Sequence, residues 1–254
     1  YNERTRLMAF SNTMGQIAWM IVPWLYVIIP DSNTFNTQTE GVRTMALIVG
    51  VLCVVFGILP AIFCKGIDSA NMENRKEITW KTLSSNMVEL WAGIKQVSKN
   101  KPFMKLCGAT FLVFNGFQLV AAFSVYIIVF YMFNGDYGGA GTWPAWFGTI
   151  SAMATALLVI PIVTKLAEKL GKKNAFVIAT LISIIGYGLK WWGFNPENPW
   201  LMFMPIPFLS FGIGGLFTLM MSMTADVCDL DELRNGMPRK EGTFGAIYWW
   251  MVKL

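Results

Sequence analysis

Residues 225–254 read ADVCDLDELRNGMPRKEGTFGAIYWWMVKL: a charged loop ending at Glu241, then an apolar run with no charge until Lys253. If that run enters a bilayer as a helix near Gly242, Lys253 lies roughly 16 Å deeper, at about 1.5 Å per residue. A hydrocarbon core is about 30 Å thick, so the ammonium reaches its middle. Charge at that depth is costly and by default faces a partner or a water-filled cavity. The competing reading is a lysine that closes a helix end and snorkels to an interface. Of the two, the deep and functional lysine is preferred.

The rest of the chain agrees with a membrane setting. Of its 254 residues 55% are hydrophobic and 14% charged, against about 25% charged in soluble domains. Charge-free runs cover 7–30, 44–64, 106–135, 137–164, 174–189 and 198–225. Most reach the roughly 20 residues of a spanning helix; the fifth does so only by running through Lys190 to Phe194. With the run after Glu241 there are seven segments. A transmembrane barrel needs alternating segments of about ten residues, so the fold is all-α, a polytopic membrane helix bundle. The chain begins at Tyr1 without a signal peptide of the basic-then-apolar form and is read as an internal piece of a longer protein.

Four cysteines without paired spacing give neither a disulfide framework nor a zinc site, and histidine is absent. The net charge of +5 does not indicate a nucleic-acid partner, because the basic residues cluster in alternate loops. Seventeen Lys or Arg fall on one side and only Arg43 and Lys190 on the other, with Lys253 set aside. The richer side is cytoplasmic by the positive-inside rule.

In the first segment Asn12, Gln16 and Trp19 are four and three residues apart, which puts two amides and an indole on one helix face. Lipid offers no hydrogen-bond partner, so this face meets other helices or a cavity. Interhelical bonding and a polar wall for a hydroxyl-rich ligand are equally open. Asn115, Gln118, Ala122 and Tyr126 form a similar face later in the chain. Between the two, residues 65–101 are expected to be a cytoplasmic linker. Its Trp80, Leu83, Met87, Leu90, Trp91, Ile94 and Val97 recur at helical spacing, as in an amphipathic helix on the inner membrane surface. Residues 1–64 then end one bundle, and 102–254 form a second. Asn134–Thr142 and Asn195–Asn198 are expected as outer turns, and Thr164–Lys173 (TKLAEKLGKK) as a short inner loop.

The E-K-x-G-K-K core of that loop resembles the inner-loop motif of the major facilitator superfamily. The stretch 225–253 strongly resembles the loop-and-helix signature of its glycoside–pentoside–hexuronide:cation symporters, in the spacing from Glu241 to Lys253 and in the acidic pair Asp226 and Asp229. The opening YNERTRLMAF is similar to the family's inner loop before its fifth helix. The resemblance implies a partial major facilitator fold, helices five to eleven of twelve. It implies that Lys253 lines a central sugar and cation cavity with Trp249 and Tyr248, and that Phe217 supplies an aromatic from the tenth helix. Arg4, Asp226, Asp229 and Arg239 match residues that form a charged cytoplasmic gate in the family. The family's sugar-binding arginine on the fifth helix is here Asn12, which offers one amide in place of a charged fork.

The implied function is a monomeric, sodium- or proton-coupled sugar or glycoside symporter of a bacterial inner membrane. No cofactor or metal site is expected, and the coupling cation's site should lie mainly in helices outside this sequence, since no apolar run here holds an Asp or Glu. A lysolipid transporter of the same fold is the nearest alternative. A membrane-embedded sugar-transferring enzyme is a remote one: Asp229-Leu230-Asp231 has the D-x-D form of a metal-binding site, but Arg234, Arg239 and Lys240 surround it and no second acidic cluster exists.

Overall fold

A computed structural model of the chain describes residues 2–29, 34–64, 83–235 and 241–253. The described residues are helical throughout, without strands. The principal helices are α1 (Asn2–Ile28), α2 (Gln38–Phe63), α3 (Leu83–Ser98) and α4 (Lys101–Tyr126). They continue with α5 (Tyr137–Ala140), α6 (Trp143–Ala154), α7 (Ile160–Leu170), α8 (Lys172–Gly193), α9 (Ile206–Gly215), α10 (Met221–Asn235) and α11 (Glu241–Lys253).

Five helical stretches among the described residues are long and apolar enough to cross a membrane: Thr39–Phe63, Lys101–Met132, Tyr137–Leu170, Lys172–Gly193 and Pro199–Arg234. Helix α1 has the length, 27 residues, but Asn12 and Gln16 in its middle dilute its hydropathy. Helix α11, 13 residues long, is shorter than the roughly 20 a span requires.

Several irregularities follow from sequence chemistry. Pro161 has no N–H to donate to the ladder, and the turn before it, Thr155–Val159, widens to π-helical form, Ile160 N bonding back to Thr155 O. A second π-helical turn, Leu216–Met220, follows Gly212, Gly214 and Gly215 and joins α9 to α10. A third, Ile127–Met132, extends α4.

The stretch expected as an inner loop at Thr164–Lys173 is mostly helix. Helix α7 runs to Leu170 and α8 starts at Lys172, leaving only Gly171 at φ 82° to turn the chain, a conformation glycine adopts without a Cβ penalty. The charged segment after Ala225, expected as a loop, is instead helical as far as Asn235, because α10 carries its hydrogen bonding on past the apolar run. In the outer segment expected as a loop, Asp136 caps the short α5 by accepting from Gly138 N at 2.9 Å.

The chain divides into two compact units, residues 24–92 and residues 1–23 with 93–254. In the first, Thr37 caps α2 by accepting from Glu40 N at 3.2 Å. A Cβ on Gly41 would stand 2.5 Å from Ile29 O, so the chain passes itself closely there. The second unit holds α1 as far as Pro23, the last turns of α3, and α4–α11. Within it Ile94 and Val97 of the amphipathic pattern face the core, while Trp80 lies outside the described residues.

The core of this larger unit gathers Phe103, Cys107 and Phe117 of α4, Val163 of α7, Leu219 of the second π-helical turn, and Phe244, Tyr248 and Val252 of α11. Glycines set its tightest approaches. A Cβ on Gly186 of α8 would meet Leu209 N of α9 at 2.4 Å, and one on Gly212 would meet the Phe117 ring at 2.3 Å. Small residues let helix backbones close up, the usual packing device where lipid supplies no hydrophobic drive.

Candidate functional site

On α1 the buried positions are Thr5, Ala9 and Gln16, with Asn12 half-buried between them. Spacings of four, three and four put all of them on one stripe. The facing stripe runs from α9 through the second π-helical turn into α10 and carries Gly214, Thr218, Ser222, Asp226 and Asp229, again at helical spacing. The two run antiparallel and are joined by polar contacts along their length.

At the basic end of the seam, Arg4 forms an ion pair with Asp229, and its Nη1 lies 3.7 Å from Asp226 Oδ1. The other Asp226 oxygen accepts from Lys172 Nζ at 2.6 Å. Only 3% of the Lys172 side chain is exposed; a buried ammonium is tolerable here because a carboxylate meets it. Asn100 Nδ2 donates to Asp231 Oδ1 at 2.9 Å, and Arg6 Nε donates to Glu168 Oε1 at 2.9 Å. The bond to Glu168 and the charge of that carboxylate raise the Arg6 pKa above its ordinary value. Three gate candidates, Arg4, Asp226 and Asp229, are thus brought together; Arg239 lies outside the described residues.

Deeper along the seam, Thr5 and Ser222 share a hydrogen bond of 3.1 Å between buried hydroxyls. Asn12 Nδ2 donates to Thr218 Oγ1 at 3.0 Å and reaches Gly214 O at 3.5 Å, while Gln16 Nε2 donates to Asn12 Oδ1 at 3.2 Å. Asn12 is therefore occupied by interhelical bonds in this arrangement, and Gln16 by a bond to Asn12 within α1. Trp19, one turn further on, is exposed.

The remaining ligand candidates lie apart from the seam. Asn115 is half-buried and donates to Phe111 O in its own helix at 2.9 Å, and Gln118 is exposed. Phe217, in the π-helical turn, meets Phe114 edge to face with centroids 6.1 Å apart. On α11 the three candidates point differently. Tyr248 is buried in the core beside Cys107; Trp249, its edge-to-face neighbour at 5.7 Å, is exposed, and so is Lys253 in the last turn. Lys253 makes no polar contact among the described residues.

The charge count places Lys190 with the outer loops, while the apolar run extended to Phe194 places it inside a helix; the second reading holds. Lys190 belongs to α8 and is buried, donating to Ser124 Oγ of α4 at 2.8 Å. The rings of Tyr187, Phe147 and Phe194 surround its ammonium at 5.3, 5.6 and 5.6 Å. Aromatic faces attract a cation electrostatically, which offsets part of the cost of taking it out of water. The apolar run had to pass through this residue to reach spanning length, and that was the signal that it lies inside a helix.

Sequence reasoning also missed the parts played by Glu168, Lys172, Thr218 and Ser222. The first two stood in the quoted inner-loop motif, four residues apart; the hydroxyls carried no mark beyond their shared spacing.

The family model described as MFS/sugar transport protein matches residues 1–254. The isoprimeverose transporter of Lactiplantibacillus pentosus is 23% identical over 243 residues, which is 94% of this chain and 46% of that protein. The glucuronide carrier protein homolog of Escherichia coli is 27% identical over 178 residues, 67% of this chain and 37% of the relative. An uncharacterized symporter of Bacillus subtilis is 24% identical over 179 residues, 70% of this chain and 34% of the relative. The chain thus spans half or less of the length of these curated relatives, and no solved structure matches it significantly. These relatives are named as transporters and symporters, not enzymes. With the helical fold and the membrane-spanning stretches, they identify an integral membrane protein that belongs to the MFS/sugar transport family, in its glycoside–pentoside–hexuronide:cation symporter branch.

Proposed function

We propose that the protein to which this chain belongs is a symporter that carries a sugar or glycoside across a bacterial inner membrane by alternating access, driven by sodium or protons. The polar seam between α1 and α9–α10 supports this reading best. Its charged end, Arg4 with Asp226 and Asp229, closes the basic mouth while the pairs are made. Parting those pairs opens the mouth when one bundle rocks against the other, the general mode of transporters with a central site.

In this reading Asn12, Gln16, Trp19, Asn115, Gln118, Phe217, Tyr248 and Trp249 supply the amides and aromatic faces for the sugar. Such mixed walls suit a ligand with hydroxyl edges and apolar C–H faces. Asn12 and Gln16 serve twice: with the ligand absent Asn12 holds the seam and Gln16 holds Asn12, and both turn to the ligand's hydroxyls when the helices part. Lys253 contributes the fixed positive charge, and the acids it balances also hold the coupling cation, so that cation and sugar are linked by local electrostatics. The protein works as a monomer.

The test is uptake of a panel of radiolabelled glycosides into vesicles containing the whole protein, with a sodium gradient, a proton gradient or neither. One gradient should drive accumulation of unmodified sugar, and Lys253→Ala should lose that accumulation. Accumulation by Lys253→Ala at the level of the unaltered protein removes Lys253 from the site. A panel with no gradient-driven uptake overturns symport of these substrates.

A further inference from the structure

A cleft of about 360 Å³ runs between α1 and α7, lined on one side by Arg6, Phe10 and Thr13 and on the other by Pro161, Lys165 and Glu168, with smaller contacts between. The helices are antiparallel here, so Arg6 stands opposite Glu168 while Phe10 and Thr13 stand opposite the residues around Pro161. Arg6 and Thr13 are seven residues apart, roughly 10 Å along the helix. The cleft is therefore graded: ionic at the basic face of the protein, apolar one to two turns deeper. It is open at the side, and Phe10 at its wall is 63% exposed.

We propose that this cleft holds one anionic glycerophospholipid of the leaflet at the basic face. Its phosphodiester would lie between Arg6 and Lys165, and the start of an acyl chain along Phe10 and Pro161. The charge balance selects the headgroup. Two cations line the cleft against one carboxylate. Glu3, which also meets Arg6 Nη1 at 3.4 Å, lies outside the lining and its side chain is 86% exposed. Water screens its charge there, so within the cleft a phosphodiester's single negative charge completes the balance. Glu168 accepts from Arg6 Nε and Glu3 from its Nη1 at 3.4 Å, and the guanidinium keeps its remaining N–H groups for a phosphate oxygen. Lys165, one turn deeper than Glu168, makes no polar contact among the described residues and is exposed. A depth of two helical turns accommodates a glycerol phosphate and its first methylenes. A soluble anion would use the ionic end and leave the apolar end wet. Because the lipid would touch both α1 and α7, it would stabilise the arrangement in which Arg6 and Glu168 are paired. The proposal does not depend on which substrate is carried.

The experiment is native mass spectrometry of the whole purified protein after exchange into equimolar phosphatidylglycerol, phosphatidylethanolamine and phosphatidylcholine. One phosphatidylglycerol should be retained in preference to the other two. Lys165→Gln should weaken that retention about fivefold, the effect of one basic side chain near an anionic headgroup; Lys165→Arg should keep it. Lys169→Gln, which alters a lysine outside the cleft, should match the unaltered protein. Lys165 is exposed, so its replacement leaves the core intact, and a monodisperse elution profile verifies this. Equal retention of phosphatidylglycerol and phosphatidylcholine, no retained lipid, or retention by Lys165→Gln at the unaltered level would each overturn the proposal. Equal retention of phosphatidylethanolamine would overturn it too, since Glu168 rather than the cations would then select the headgroup.

Discussion

Asn12 of α1 gives its amide hydrogen to Thr218 Oγ1 at 3.0 Å, inside the π-helical turn that joins α9 to α10. A polar side chain of a membrane helix is thereby satisfied by a hydroxyl that a widened turn presents. π-Helical turns often occur at functional sites. Here the turn places an acceptor on the seam whose parting would open the basic mouth.

Thr218→Val keeps the shape of residue 218 and removes that acceptor. Asn12 Nδ2 then keeps only the longer contact to Gly214 O, and stability should fall by about 1–2 kcal/mol, the cost of an unmade buried hydrogen bond. Thermal unfolding in detergent checks the size. The double variant with Asn12→Ala should cost less than the two single effects together, because both remove one interaction. Strict additivity would mean that the bond contributes nothing.

Arg4 pairs with Asp229 and lies 3.7 Å from Asp226, the contacts proposed to close the basic mouth. Arg4→Gln should weaken closure by about 1–2 kcal/mol, between the values for exposed and fully buried pairs, since these side chains are about a third exposed or less. Labelling of a cysteine introduced at Ser222 with a membrane-impermeant maleimide from the basic face should then become faster. The exchange Arg4→Asp with Asp229→Arg should restore slow labelling. Unchanged labelling in Arg4→Gln would remove the gate assignment.

Gly186 lies where α8 passes over the start of α9. In Gly186→Ala the new Cβ would be 2.4 Å from Leu209 N and 2.8 Å from Phe208 C, so backbone rather than a flexible side chain must give way. Such overpacking costs about 1–3 kcal/mol. Gly188→Ala is the control, since nothing lies within 4 Å of its position, and it should be neutral or slightly stabilising. Melting temperatures of the pair decide the matter; equal values would show that α8 and α9 are further apart.

Lys190 has a hydroxyl and three rings around its ammonium. Cation–π contacts contribute about 0.5–2 kcal/mol each, whereas burying an ion costs several kcal/mol. Lys190→Met, which keeps the stem and drops the charge, should therefore be neutral or stabilising by about 1–3 kcal/mol. Lys190→Glu should be strongly destabilising, because the rings repel a carboxylate. A clear loss of melting temperature in Lys190→Met would show that the ammonium, not its packing, holds α4 and α8 together.

Much of the architecture was legible in the residues themselves. Runs without charge marked the helices, since a charge in lipid is too expensive to occur by accident. Asp226 and Asp229 could be paired with Arg4 in advance through the resemblance of residues 225–253 to a known signature. The stretch TKLAEKLGKK was harder to place. Its polarity suggested a loop, yet hydrogen bonding along α7 continues to Leu170 and a single glycine turns the chain, so polarity and loop structure part company at a membrane surface.

Sequence alone determined that this chain is helical, membrane-spanning and related to sugar symporters, because those properties follow from local composition, period and motif. Which polar groups meet was decided only in three dimensions. Asn12 and Thr218 are 206 residues apart, and Lys172 and Asp226 are 54 apart; no local preference couples such positions. Lys190 illustrates the same division: one basic residue in a list of charges cannot reveal that three aromatic rings from α6, α8 and the turn after it will close around it. That depends on how the helices pack, and packing is a property of the assembled bundle.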